Sequence, residues 1–206
     1  MKNYFIAFEG IDGSGKTTQV KLLTQYLTNK GHKVYATCEP TDSPIGKMIR
    51  DIFNHRMEGD HKVIAALFAA DRLNHLLNST DGILKKLDEG YTVITDRYYF
   101  SSYAYHSVHD IEMDWVIQAN ALSAELLKPD LNIYIEMDPQ VSMKRLTSGR
   151  THIEIYETLE NLVKVKEKYE LAFEKLKDSE NIFKVNGNRT PEEVSAAIIQ
   201  KITTIF

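Results

Sequence analysis

Tyr4-Phe5-Ile6-Ala7-Phe8-Glu9-Gly10-Ile11-Asp12-Gly13-Ser14-Gly15-Lys16-Thr17-Thr18 is the stretch on which the reading of this chain turns. Its first residues form a short apolar run, the mark of a buried strand. The run breaks at Gly10, passes through Gly13 and Gly15, and enters a helical pattern after Lys16. Gly10 to Thr17 fits the P-loop pattern, two glycines bracketing four residues with Lys-Thr behind them. Glycines let successive backbone N–H groups turn inward and wrap a phosphate with no Cβ in the way. The following helix aims its positive end at the same anion. In such a loop Lys16 carries a mobile charge to the outer phosphates, and the Thr17 hydroxyl can ligate magnesium.

Working outward, 206 residues suffice for one α/β domain with a real core. Hydrophobic residues make up 43% and charged residues 26%, ordinary values for a globular protein. A net charge of −4 argues against a general nucleic-acid binder, so any phosphate site is a local concentration of positive charge. One cysteine, Cys38, allows no internal disulfide and fits a reducing compartment. Met1-Lys2-Asn3 leads straight into the first strand, and no apolar run is long enough to span a bilayer. The expectation is a cytoplasmic protein that uses no membrane.

Further strands are expected at Lys33–Cys38, Tyr91–Thr95, Asn132–Met137 and Ile182–Val185. Helices are expected after Lys16 with a stop at Gly31, from Ser43-Pro44, and from about His61 to Leu77. Ile83–Leu87 extends that last helix or forms its neighbour, closed by Gly90. One helix is marked by Trp115, Ala119, Leu122 and Leu126, and a short one from Asp138-Pro139 carries Lys144 and Arg145. A long helix holds Leu162 to Leu176, and Pro191 opens the last. Thr147 to Thr151 reads as a mobile loop, within a short lid at about 145–157. Five apolar strands alternating with helices predict an α/β fold: a five-stranded parallel sheet covered on both faces, in one domain spanning residues 1–206. Right-handed crossovers place the strand C-termini on one edge, where the P-loop, Glu39-Pro40 and Asp96-Arg97 converge.

A P-loop serves switches, motors and kinases. No Asn-Lys-x-Asp guanine-reading motif is present. A transferase needs a second anion site opposite the loop, with cations to neutralise the group in flight. Arg97, Arg72, and the set Lys144, Arg145 and Arg150 are the candidates. Phe68 and Arg72, four residues apart on one helix, read either as a base-stacking and base-reading pair or as a core aromatic beside a solvated arginine.

With these residues in view, the chain resembles thymidylate kinase over nearly its whole length. The resemblance rests on Phe8 to Thr18, Glu39-Pro40, Ala66-Leu67-Phe68-Ala69-Ala70-Asp71-Arg72, Asp96-Arg97-Tyr98 with Ser101 and Tyr105, Lys128-Pro129-Asp130 and Tyr156-Glu157. It implies the P-loop nucleotide-hydrolase type of fold, and transfer of the ATP γ-phosphoryl group to dTMP with magnesium. ATP would lie on Gly10, Ile11, Asp12, Gly13, Ser14, Gly15, Lys16, Thr17 and Thr18, with Arg145 against adenine and Asn188-Arg189 flanking it. On the dTMP side Phe68 would stack on thymine and Arg72 would bond its exocyclic oxygen. Arg97 would hold the acceptor phosphate, with Ser101 nearby, and Ser102 would stand where several relatives carry a base-edge contact. Asp12 would meet the sugar 3′-hydroxyl or the magnesium shell, and Tyr105 would press on the ribose C2′. Glu39-Pro40 would border the base, with Pro40 near the thymine methyl, and Tyr156 and Glu157 would complete the sugar side. Magnesium would take Thr17, Asp12 and Asp96, the last as ligand or as structural support. Some members carry an arginine inside the P-loop where this chain has Gly13; Arg150 is then the expected lid cation, sharing the work with Arg145. The resemblance also implies a homodimer, with the Trp115 helix as a contact surface.

Overall fold

A computed structural model describes residues 3–149 and 158–205. In chain order its elements are β1 (Phe5–Glu9), α1 (Lys16–Asn29), β2 (Val34–Cys38), α2 (Pro44–Phe53), α3 (His61–Leu77), α4 (Ile83–Asp88), β3 (Thr92–Asp96), α5 (Tyr99–His106), α6 (Met113–Ala119), α7 (Ala121–Leu126), β4 (Leu131–Glu136), α8 (Pro139–Gly149), α9 (Leu159–Leu176), β5 (Ile182–Asn186) and α10 (Pro191–Ile202). The five strands form one sheet in the order β2-β3-β1-β4-β5, every pair parallel. This is the expected α/β architecture.

The two-residue period of β1 sorts the core. Ile6 and Phe8 face α1 and α10, packing with Val20, Leu23, Leu27, Val194 and Ile198. Phe5 and Ala7 face the other way, into an aromatic-rich layer with Tyr98, Phe100, Tyr134, Tyr169 and Phe173. Every residue of β1 is buried, as a central parallel strand requires.

Local signals set most boundaries. Ser43 Oγ accepts from Gly46 N at 3.1 Å and Pro44 takes the first turn of α2. Thr190 and Glu193 form a reciprocal cap on α10. Gly31 and Gly90, both at φ 88, follow the ends of α1 and α4.

Three departures have physical causes. α5 was not expected: Tyr99-Phe100-Ser101-Ser102-Tyr103-Ala104-Tyr105-His106 is buried on every side, so it shows no amphipathic period, and its aromatics are weak helix formers. The helix expected through Trp115 and Leu126 is two, broken at Asn120, which is fully buried and whose Nδ2 donates to Val116 O at 2.8 Å. Residues 147 to 149, expected in a loop, continue α8. The rest of that loop, with Arg150, Tyr156 and Glu157, lies outside the described residues.

Candidate active site

The C-terminal ends of β1, β2 and β3 deliver the loop after β1, Glu39 and Arg97 to one edge. In the loop Gly10, Gly13 and Gly15 have φ of 147°, 77° and 96°, a region open to glycine and strained for other residues. Gly15 is the N-cap of α1, so the loop ends on the helix's positive pole. A Cβ at Gly10 would sit 2.8 Å from Ser14 Oγ. One at Gly13 would sit 2.9 Å from the Ser142 carbonyl, so α8 packs directly on the loop where an arginine could have stood. Ser142 Oγ also donates to the Asp12 carbonyl.

Lys16 Nζ donates to the carbonyls of Gly10 and Ile11, both at 3.0 Å. Burial, then the Arg97 charge, push this ammonium down to about 8. Thr17 Oγ1 donates to Asp96 Oδ2 at 2.6 Å. A cavity of about 640 Å³ opens here, lined by Asp12 to Gln19, Asp96, Arg97, Arg145, Gly187 and Arg189. Ser14 Oγ is buried with no hydrogen-bond partner among the described residues, as an atom meant for a ligand would be. Thr17 and Asp96 offer a hydroxyl and a carboxylate, the hard oxygen donors magnesium takes, so the pair fits that ion. Asn188 lies farther off, its Oδ1 accepting from Asp138 N at 3.1 Å.

A second cavity, about 230 Å³, adjoins the first. Pro40, Phe53, Phe68, Arg72, Ser101, Ser102, Tyr105 and His106 line it, and Asp12, Glu39 and Arg97 line both. Arg97 sits at φ 75, an unusual backbone for a branched or long side chain, fixed by Arg97 N donating to Phe8 O at 2.9 Å. Its guanidinium donates to Asp12 Oδ1, to Ser101 Oγ at 3.0 Å and to Tyr105 OH at 3.3 Å, and lies 4.8 Å from the Tyr105 ring centre. Tyr105 OH in turn donates to Asp12 Oδ2 at 2.8 Å. Burial alone would raise the Asp12 carboxyl; Arg97 and Lys16 beside it outweigh that and hold it below the usual range. Both Asp12 oxygens are thus engaged within the protein, leaving Thr17 and Asp96 as the oxygen-bearing pair lining the first cavity.

At the inner end Arg72 is buried, which rules out the solvated reading. It donates to Glu39 Oε2 at 2.5 Å, to Ser102 Oγ at 3.0 Å and to Asn120 Oδ1. Glu39 Oε1 meets His75 Nδ1 at 3.1 Å, and His75 Nε2 lies 2.8 Å from Thr37 Oγ1. Phe68 presents its ring 5.0 Å from that of His106, which burial and the Arg72 charge push down to about 3 and so keep neutral. Arg50 borders the same cavity, donating to Pro40 O at 2.9 Å.

Four residues of this arrangement were not anticipated. They are Glu9, Asn120, His75 and His106: Asn120 and His75 carry no spacing signal, and His106 sits in the unexpected α5. For Glu9 a signal existed: alternation along β1 puts it on the Phe5 and Ala7 face, a carboxylate aimed into the core.

Two adjoining cavities, one ringed by a glycine loop and one by arginines, with an arginine between them, have the shape and charge to take two phosphorylated groups end to end. That is the construction of a P-loop nucleoside monophosphate kinase. Residues 8–198 match the family model described as Thymidylate kinase, and the chain belongs to that family. It is 41% identical over 174 residues to a probable thymidylate kinase of Pyrococcus horikoshii, covering 82% of each chain. With one from Methanococcus aeolicus it shares 38% over 203 residues, 97% of this chain and 96% of the relative. With one from Pyrobaculum aerophilum the identity is 38% over 201 residues, 98% and 97% of the two chains.

Proposed function

We propose that this chain transfers the terminal phosphoryl group of ATP to dTMP, giving ADP and dTDP for dTTP synthesis. The observation that carries the reading is that Asp12 and Arg97 line both cavities, so the two nucleotides' phosphates would meet at these side chains. The glycine loop binds the donor phosphates through backbone N–H groups and Lys16, with Arg145 and Arg189 at the adenine end. Arg97 grips the acceptor phosphate. Phe68 stacks on the base, while Arg72, locked by Glu39, holds one donor edge fixed toward it, and Tyr105 limits room at the sugar. Thr17 and Asp96 would hold magnesium, which would supply further positive charge beside the donor phosphates.

Catalysis in this reading is positional and electrostatic. The acceptor oxygen is already anionic, so no strong base is needed. Because α8 closes the space at Gly13, the loop offers no arginine of its own, and the cation over the transferring group comes from Arg150. Arg150→Ala would lower the rate far more than it weakens dTMP binding; an unchanged rate would move that role elsewhere. The chain acts as a cytoplasmic homodimer, with the exposed Trp115, Leu122 and Leu126 as contact surface. A monomeric mass by light scattering would remove the dimer.

The test is ADP release measured across dTMP, dUMP, CMP, GMP and AMP. The expected result is a rate with dTMP about tenfold or more above every ribonucleotide. ADP release indifferent to all five would sink the reading in favour of a P-loop ATPase.

A further inference from the structure

One buried carboxylate has no part in the scheme above. Glu9 closes β1 on the face toward α5 and α9, and it is fully buried. Three donors converge on it: Tyr98 N to Oε1 at 3.0 Å, Ser101 Oγ to Oε2 at 2.6 Å, and Tyr169 OH to Oε2 at 3.0 Å. Each leads somewhere. Ser101 Oγ, its proton given to Glu9, accepts from Arg97 Nη1 at 3.0 Å. Tyr169 OH accepts from Gly10 N, the first amide of the phosphate loop, at 3.3 Å. Tyr98 N belongs to the residue after Arg97, so the Arg97 backbone is pinned as well as its side chain.

We propose that Glu9 is a positioning residue for phosphoryl transfer, fixing the Arg97 guanidinium through Ser101 and registering it against the glycine loop through Tyr169. This rests on Arg97 being the acceptor-phosphate clamp. The direction of the hydrogen bonds makes the case. A hydroxyl has one proton; while Ser101 donates to a carboxylate, its lone pairs face Arg97 and hold that N–H. An ionised carboxylate can only accept, so above about pH 7, where Glu9 is charged, it fixes the polarity of the whole chain. Burial pushes the Glu9 carboxyl up to about 7, opposed by Ser101, Arg97, Tyr169 and the Tyr98 amide. A fold that keeps so costly a group in its core, where an apolar residue would fit the surrounding aromatics, is using its accepting oxygens.

Glu9→Gln tests this at constant volume. An amide NH2 toward Tyr98 N would set donor against donor, so it must turn toward Ser101 and Tyr169. Ser101 must then accept from Gln, and its own proton must swing away from position 9, toward the Tyr169 hydroxyl 2.8 Å away or into the space facing Arg97, which loosens the hold on that guanidinium. The experiment is a double-mutant cycle in kcat/KM for dTMP, combining Glu9→Gln with Arg97→Lys. The expected result is a loss on the order of tenfold for Glu9→Gln alone, falling mainly on dTMP rather than ATP parameters. In the Arg97→Lys background the same substitution changes the value by less than about twofold. Ser101→Ala, which cuts the link and leaves the carboxylate, should show the same non-additivity with Arg97→Lys, and covers the case in which Glu9→Gln unfolds. Losses that multiply in both cycles, or no loss in the single variants, overturn the assignment of Glu9. A wild-type protein that phosphorylates no nucleoside monophosphate overturns the kinase reading itself.

Discussion

The two cavities that meet at Arg97 are built from different material. On the donor side the proposed phosphate cradle is main chain: three glycines at positive φ, a helix N-terminus and one lysine, all within one contiguous stretch. The acceptor side is side chain: Glu39 after β2, Arg72 on α3, Ser102 on α5 and Asn120 before α7, joined in one buried set of hydrogen bonds. A backbone cradle is fixed by local conformation and can lose a side chain with its shape intact. A side-chain pocket is also core, so damage to recognition there is damage to stability. The acceptor side should therefore fail by unfolding and the donor side by losing chemistry.

Lys16→Ala gives the largest expected effect. Turnover should fall by about 10³ or more, while the thermal midpoint moves by only a few degrees. Retained turnover would take Lys16 out of the reaction. Arg72→Met should do the opposite, destabilising the fold by about 3–5 kcal/mol in urea titrations because it strands the Glu39 charge. Adding Glu39→Leu should recover part of that cost; a purely additive double variant would show the pair to be independent. Gly13→Ala sharpens the contrast from the donor side. It should cost about 2 kcal/mol, more than Gly15→Ala, since both sites have positive φ yet only Gly13 meets a carbonyl at 2.9 Å. Equal costs would mean that α8 yields freely.

The smallest effect is one of pH. Glu9 titrates at about 7 in the fold against 4.5 as its ordinary value, so between those values the folded state binds the extra proton. Its contribution to stability is complete below about 4.5 and is lost as pH rises through about 7. Subtracting the unfolding free energy of Glu9→Gln from that of the wild type at each pH should expose a fall across that window. A flat difference would mean that Glu9 is ionised throughout.

The same contrast explains what could be read in the sequence. The donor site was legible because its geometry lies in consecutive residues, Gly10 to Thr17, whose conformational needs are written in residue type. The five strands were legible because β-branched and apolar runs alternate with helix caps. On the acceptor side Arg97 was legible as a cation just after a strand and Phe68 with Arg72 as a pair on one helix, but their roles came from resemblance, and spacing alone left Arg72 open between cleft and solvent. Its partners were invisible. Asn120 breaks a helix that its neighbours' periodicity runs straight through, and α5 is too completely buried to show a period. Side chains that satisfy one another across elements leave no mark along the chain.

In the proposed reaction donor and acceptor phosphates meet at Arg97. A single compound joining adenosine to thymidine through a chain of phosphates, titrated by calorimetry, tests it directly. The account predicts one molecule bound per chain, more tightly than ATP or dTMP alone, displaced by either nucleotide, with the gain lost in Arg97→Ala. Binding no tighter than ATP, displaced by ATP and indifferent to dTMP, would contradict it.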